Sequence, residues 1–186
     1  RGGHRRIALQ AGMGVERQLA VLSGKKSAYE TALFAPIIER IEELCNKSYK
    51  DNVKPMRIIA DHLRAATFIL GDDAGVMPSN VDRGYVLRRL IRRAVRYGKM
   101  VGINSNFTSE IARIIIATYG DYYTELQRNK DKIVQELEKE EDKFSQTLEK
   151  GLKEFHRIAE NSTLIAGKDA FLLFQSYGFP IEMTEE

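Results

Sequence analysis

With 186 residues, 43% of them hydrophobic and including eight Phe and eight Tyr, the chain can bury one sizeable core and part of a second domain. No run reaches the roughly 18 apolar residues of a membrane span. No apolar signal segment follows the basic N-terminus, and the single cysteine, Cys45, excludes an internal disulfide, so a cytoplasmic protein is expected. The net charge of +3 is unevenly placed: seven basic residues and no acid lie between Arg83 and Lys99, leaving −4 for the remainder. A basic stripe on an otherwise slightly acidic chain is the pattern of a polyanion-binding face.

In chain order, Ile7 to Gln10 reads as a short strand, and Ala11 to Gly14 as a tight connection into a helix from Val15 to Leu22 ended by Gly24. Ser27 is placed to start a second helix, with Glu30 as its capping-box partner. Its apolar positions Leu33, Phe34, Ile37, Ile38, Ile41, Leu44 and Cys45 recur at three and four. Pro36 lies inside that pattern, so the helix must begin afresh there or kink. Asn46 to Lys54 is a polar loop, and Pro55 opens a third helix as a first-position proline.

The stretch from Gly71 to Asn80 is a long turn region leading into the basic helix, expected from Asp82 to Tyr97 and closed by Gly98. A shorter helix follows from Ser109 to Tyr119. The longest element runs from Asp121 to about Glu160, with Leu126, Ile133, Leu137, Phe144, Leu148, Leu152 and Phe155 forming a seam broken at Lys130 and Glu141. Those breaks favour a long helix packed on a neighbour over a free coiled coil. A last helix, Lys168 to Tyr177, stops at Gly178. The fold class is all-α, a helical bundle with one long helix behind a short strand-turn-helix segment. The front strand has no sheet to join, and Thr184-Glu185-Glu186 starts a helix that does not follow, so the chain is expected to be a fragment.

On a helical wheel Arg88, Arg89, Arg92, Arg93 and Arg96 share an arc of about 140°, with Leu87, Leu90, Ile91, Ala94 and Val95 opposite. A guanidinium fork suits phosphate oxygens and guanine edges. Residue type leaves an alternative open, in which Glu138 to Asp142 pair with these arginines internally. His62, on an apolar face, reads as a hydrogen-bonded core histidine. Three scattered His and one Cys give no metal-ligand spacing.

The block Met56-Arg57-Ile58-Ile59-Ala60-Asp61-His62-Leu63-Arg64-Ala65, then Gly75 to Asn80, then Arg83-Gly84-Tyr85-Val86-Leu87 through Arg96, closely resembles alanyl-tRNA synthetases. So do Gly12-Met13-Gly14-Val15-Glu16-Arg17 and, at the far end, Tyr177-Gly178-Phe179-Pro180 with Thr184-Glu185-Glu186. The resemblance covers roughly Gly12 to the C-terminus. Gln10 and Ala11 depart from the Asp-Thr usual before the first block, and what precedes Gln10 does not look like the family.

The resemblance implies that residues 1–27 are the tail of a class II catalytic domain and residues 28–186 a helical domain for the tRNA acceptor stem. Gly12, Gly14 and Arg17 then match motif 3, whose arginine contacts the ATP phosphates. Motifs 1 and 2 have no counterpart, so the full enzyme would join alanine to tRNA with ATP, whereas this chain alone is expected to be inactive. The family reads a G·U wobble pair through an Asn in Pro-Ser-Asn, matched by Asn80, and an Asp where this chain has Gln175. Asp169, six residues earlier, is the candidate substitute for that carboxylate. The implied RNA-binding set is therefore Asn80, Gln175, Asp169, Arg83, Arg88, Arg89, Arg92, Arg93, Arg96 and Lys99, with tRNA(Ala) as partner. The family's zinc belongs to an editing domain outside this chain. On residue type alone Asn80, after a Pro-Ser turn, reads first as a helix cap, and the resemblance reverses that preference. A stand-alone helical RNA-binding module and a scaffold whose long helix pairs with a partner chain are the alternatives to a synthetase segment.

Overall fold

The computed structural model describes residues 14–160 and 165–177. Among them the regular elements are helical: α1 (Val15–Leu22), a 3-10 turn (Ala28–Glu30), α2 (Ala35–Cys45), α3 (Val53–Gly71), α4 (Asp82–Val101), α5 (Thr108–Tyr119), α6 (Thr124–Arg128), α7 (Lys130–Ala159) and α8 (Gly167–Tyr177). The expected strand, Gly12 and the motifs from Gly178 onward lie outside the described residues.

Helix α3 is the spine. Met56, Ile59, Ala60, Leu63, Ala66 and Leu70 recur at three- and four-residue steps, and each is buried. Helix α4 packs along it with Leu87, Ile91, Ala94 and Val95. Helices α5 and α7 close the core with Ile111, Ala112, Ile115, Ile133, Leu137 and Phe144, and α8 packs on α7 through buried Leu173. The seam of α7 is thus occupied by its own chain, which removes it as a coiled-coil surface for a partner.

Local chemistry explains most boundaries. Helix α1 ends in a Schellman motif: Gly24 has φ +65°, Lys25 N–H donates to Ala20 O at 2.8 Å and Gly24 N–H to Val21 O at 3.2 Å. Pro36 sits in the first turn of α2, so the helix begins afresh rather than continuing from Ser27. Ser27 accordingly caps only the short turn, its hydroxyl accepting from Tyr29 N–H at 3.1 Å. Pro55 is third in α3, not first, a position whose missing N–H still has no helical partner to lose. Cys45 is buried, and His62 is half-buried with Nδ1 3.6 Å from the Asp61 carboxylate.

Packing overrides three expectations drawn from the sequence. Gly98 does not end α4; it lies on the buried face, where a Cβ would collide with the Phe107 ring. The helix runs on to Val101, and Gly102, at φ +101°, caps it by donating to Gly98 O and Lys99 O. The expected single helix from Asp121 to Glu160 is two helices. Its break falls at Asn129, whose Nδ2 donates to Gly71 O at 2.8 Å and Asp73 Oδ1 at 3.1 Å, tying the turn to the end of α3. The second break in the seam, Glu141, is no interruption of packing: it is fully buried.

Candidate nucleic-acid interface

The Asn80 loop is built against the first turn of α4. Ser79 N–H donates to Gly84 O at 3.1 Å and the Ser79 hydroxyl to Val81 O at 2.9 Å. Gly84 is buried there, and any Cβ would meet Ser79 Oγ and Met77 O. The N-cap of α4 is Val81, without a side-chain cap, so Asn80 is not the helix cap that its residue type suggested. Asn80 is exposed, and its Oδ1 accepts from Arg88 Nη1.

Arg88 reaches in two directions. Its Nε donates to Glu140 Oε1 at 3.0 Å, and the same oxygen accepts from Arg92 Nε at 2.7 Å. Glu140 is 6% exposed, so this carboxylate is nearly dry and is compensated by two cations at once. Arg92 also lies over the Phe144 ring, 5.0 Å from its centroid, one turn along α7 from Glu140. The internal pairing that the sequence left open is therefore what Arg88 and Arg92 make, with Glu140 as the acid.

The rest of the arc divides. Arg96, expected on the open face, is 5% exposed with its guanidinium 5.6 Å from the Tyr97 ring centroid, and is part of the interior. Arg83, Arg89 and Arg93 are exposed, Arg93 lying 5.9 Å from the Tyr97 centroid. Lys99 is half-exposed and donates to Asn104 O at 2.8 Å. The outward cationic sector is thus narrower than the arginine arc, because α7 covers one flank of α4.

The other expected site residues sit elsewhere. Gln175 is exposed and Asp169 half-buried, both on α8, which packs on α7, the helix that carries Glu140. Arg17 is exposed on the first turn of α1, one residue after Glu16. Gly14 is the N-cap of that helix, its carbonyl accepting from Arg17 N–H at 3.0 Å and Gln18 N–H at 3.2 Å.

Profile comparison places residues 5–186 in the family described as tRNA synthetases class II (A). The chain belongs to that family. The match begins at residue 5, ahead of the Gly12 at which motif resemblance starts, so residues 5–9 belong to the matched stretch, against the expectation that what precedes Gln10 is unlike the family. The alanine–tRNA ligase of Treponema pallidum (strain Nichols) is 48% identical over 189 residues, covering 97% of this chain and 31% of that protein. That of Treponema denticola is 52% identical over 98% of this chain and 32% of its own length. That of Geobacillus thermodenitrificans is 43% identical, covering 96% of this chain and 21% of its own length. The chain spans about a third or less of the length of these relatives.

Three other polar clusters, whose contacts sequence reading missed, hold the family's blocks in place. Arg64 donates to Glu16 Oε1 at 2.7 Å and to the Tyr119 hydroxyl at 3.2 Å, and lies 4.5 Å from the Phe34 ring centroid. It joins α1 to the helical core, and the hydrogen bond from Arg64 holds the Glu16 carboxyl below its ordinary value. Arg57 donates to the Tyr49 hydroxyl at 2.6 Å and Ser27 Oγ at 3.1 Å. Glu141 accepts from Phe107 N–H and Thr108 N–H at the start of α5. Among the described residues no group of three or more His, Cys, Asp or Glu is placed to hold a metal ion, and no helix is long and apolar enough to cross a membrane.

Proposed function

We propose that this chain is the acceptor-stem-binding part of an alanine–tRNA ligase, joined at its front to the end of the catalytic domain. The observation that carries the reading is an exposed Asn80, its carboxamide oxygen engaged by Arg88, beside the exposed arginines Arg83, Arg89 and Arg93. Outward arginines on one helix supply phosphate contacts that set register, and a fixed amide supplies a base contact that discriminates. With Oδ1 engaged, Asn80 presents its amino group to a base edge.

In the whole enzyme residues 1–27 would complete the catalytic domain and residues 28–186 would hold tRNA(Ala), with alanine and ATP as the other substrates, in the cytosol. Arg17 fits a contact to the ATP phosphates, being an exposed cation on the first turn of a helix capped by Gly14. Gln175 stands where the family has an acceptor carboxylate, and as a neutral amide it would accept from a guanine amino group less strongly than Asp.

The test is the ratio of dissociation constants for two acceptor-stem duplexes, one with the G·U pair and one with G·C in its place. The parent should prefer G·U. Asn80→Ala should lower that preference by about 1–3 kcal/mol while leaving G·C affinity nearly unchanged. A ratio near one in the parent, or an unaltered ratio in the variant, would overturn the assignment of Asn80.

A further inference from the structure

Two of the arginines that face outward on a helical wheel are held down by one buried acid. Glu140 Oε1 accepts from Arg88 Nε at 3.0 Å and Arg92 Nε at 2.7 Å, while Arg88 Nη1 also donates to Asn80. The arginine side chains are 25% and 21% exposed and the Glu140 side chain 7%, so solvent screens this arrangement poorly. We propose that Glu140 is a positioning residue for RNA specificity: it withholds Arg88 and Arg92 from phosphates and, through Arg88, aims the Asn80 carboxamide at a base edge. This rests on the RNA-binding reading above and adds to it.

The physical case is a division of labour among like charges. A guanidinium free to swing will follow phosphates, whose attraction is long-ranged and blind to sequence. A guanidinium fixed at Nε by a carboxylate has its remaining N–H groups set in direction by its own plane. Arg88 fixed in this way holds Asn80 through Nη1, so the amide orientation depends on a residue in α7 52 positions later than Arg88. The Phe144 ring under Arg92 gives that second guanidinium the same fixed plane. Glu140 thereby trades general RNA affinity for discrimination.

The test uses the 186-residue chain and two variants, Glu140→Gln and Arg88→Lys, with the G·U and G·C acceptor-stem duplexes across a salt series. Glu140→Gln keeps the shape and removes the charge. It should tighten G·C binding, steepen the log–log salt slope by about 0.7–0.9 for each phosphate newly engaged, and reduce the G·U preference roughly five-fold or more. Arg88→Lys keeps the charge and loses the fork, so the salt slope should hold while the preference falls by a similar factor. Arg88→Lys decides the matter if Glu140→Gln fails to fold, as judged by circular dichroism. Folded variants that keep the parental preference, whether or not their melting temperatures drop, overturn the proposal and leave the RNA-binding reading standing. A parent chain that binds neither duplex overturns both.

Discussion

Glu141 is the residue whose replacement most sharply tests how the fold is held. It is fully buried; one of its oxygens accepts from Thr108 N–H at 3.0 Å and the Thr108 hydroxyl at 2.6 Å, and both lie 3.2 Å from Phe107 N. It therefore caps α5 from α7, where the N-cap residue Phe107 offers no side-chain acceptor. Glu141→Ala leaves two buried amides without an acceptor, at about 1–3 kcal/mol each. Removing a buried charge returns part of that, so a net loss of about 2–4 kcal/mol is expected, a large share of the roughly 5–15 kcal/mol that holds a domain. Glu141→Gln can place its one oxygen where Thr108 and Phe107 both reach, and should stay within about 1 kcal/mol of the parent at neutral pH.

The pH dependence has a definite sign. Burial pushes the Glu141 carboxyl above its ordinary 4.5, against the opposing pull of the Thr108 and Phe107 hydrogen bonds. Between 4.5 and the raised folded value the folded chain keeps a proton that the unfolded chain releases, so stability falls as pH rises through that window. Gln cannot titrate. The difference in unfolding free energy, parent minus Glu141→Gln, should therefore decrease with rising pH and then level off. Urea unfolding followed by circular dichroism from pH 4 to 8 measures it, and the subtraction removes the other carboxylates, such as Glu16 and Asp73, whose values are lowered. A difference that grows with pH, or a Gln variant as unstable as the Ala variant, would refute the reasoning.

Gly84→Ala should drive the Ser79–Asn80 loop off α4, because the new methyl meets Ser79 Oγ and the Met77 carbonyl. Overpacking of this kind costs about 1–3 kcal/mol, and a fluorescence-detected stem titration should show G·U preference lost with G·C affinity kept; an unchanged preference would mean that the loop does not need this contact. The purified chain should show no alanine-dependent ATP–pyrophosphate exchange, since Arg17 stands here without motifs 1 and 2; exchange above background would contradict the assignment of catalysis to residues outside this chain.

How much was legible in the sequence depends on which element is asked. Periodicity found the core faces of α2 and α4, because a buried stripe is written within one helix. Pro36 marked the fresh start of α2 and Gly24 the end of α1, because both act through the local backbone. Gly98 misled for the opposite reason: a glycine demanded by the Phe107 ring looks, in sequence, the same as one demanded by a left-handed cap. The break at Asn129 depends on Gly71 and Asp73, more than fifty residues away. Motif resemblance singled out Asn80, and charge with a helical wheel the arginine helix, yet a wheel cannot tell which flank of that helix a neighbour covers. Arg96 was therefore assigned outward when it is buried. Glu140 was visible only as one acid in a run, and Glu141 only as a break in an apolar seam; a charged residue at a seam position is itself the signal that a buried partner exists.

The salt dependence of acceptor-stem binding probes whether the outward sector of α4 meets a nucleic-acid backbone, as proposed. Arg83, Arg89 and Arg93 are exposed there, whereas Arg96 is buried and Arg88 and Arg92 are engaged by Glu140. Log affinity plotted against log salt should fall linearly, each phosphate contact adding about 0.7–0.9 to the slope. Converting Arg83, Arg89 and Arg93 together to Gln should flatten that slope by roughly 2–3 and weaken G·U and G·C stems alike. A slope and affinity that do not move with those three charges removed would contradict the account.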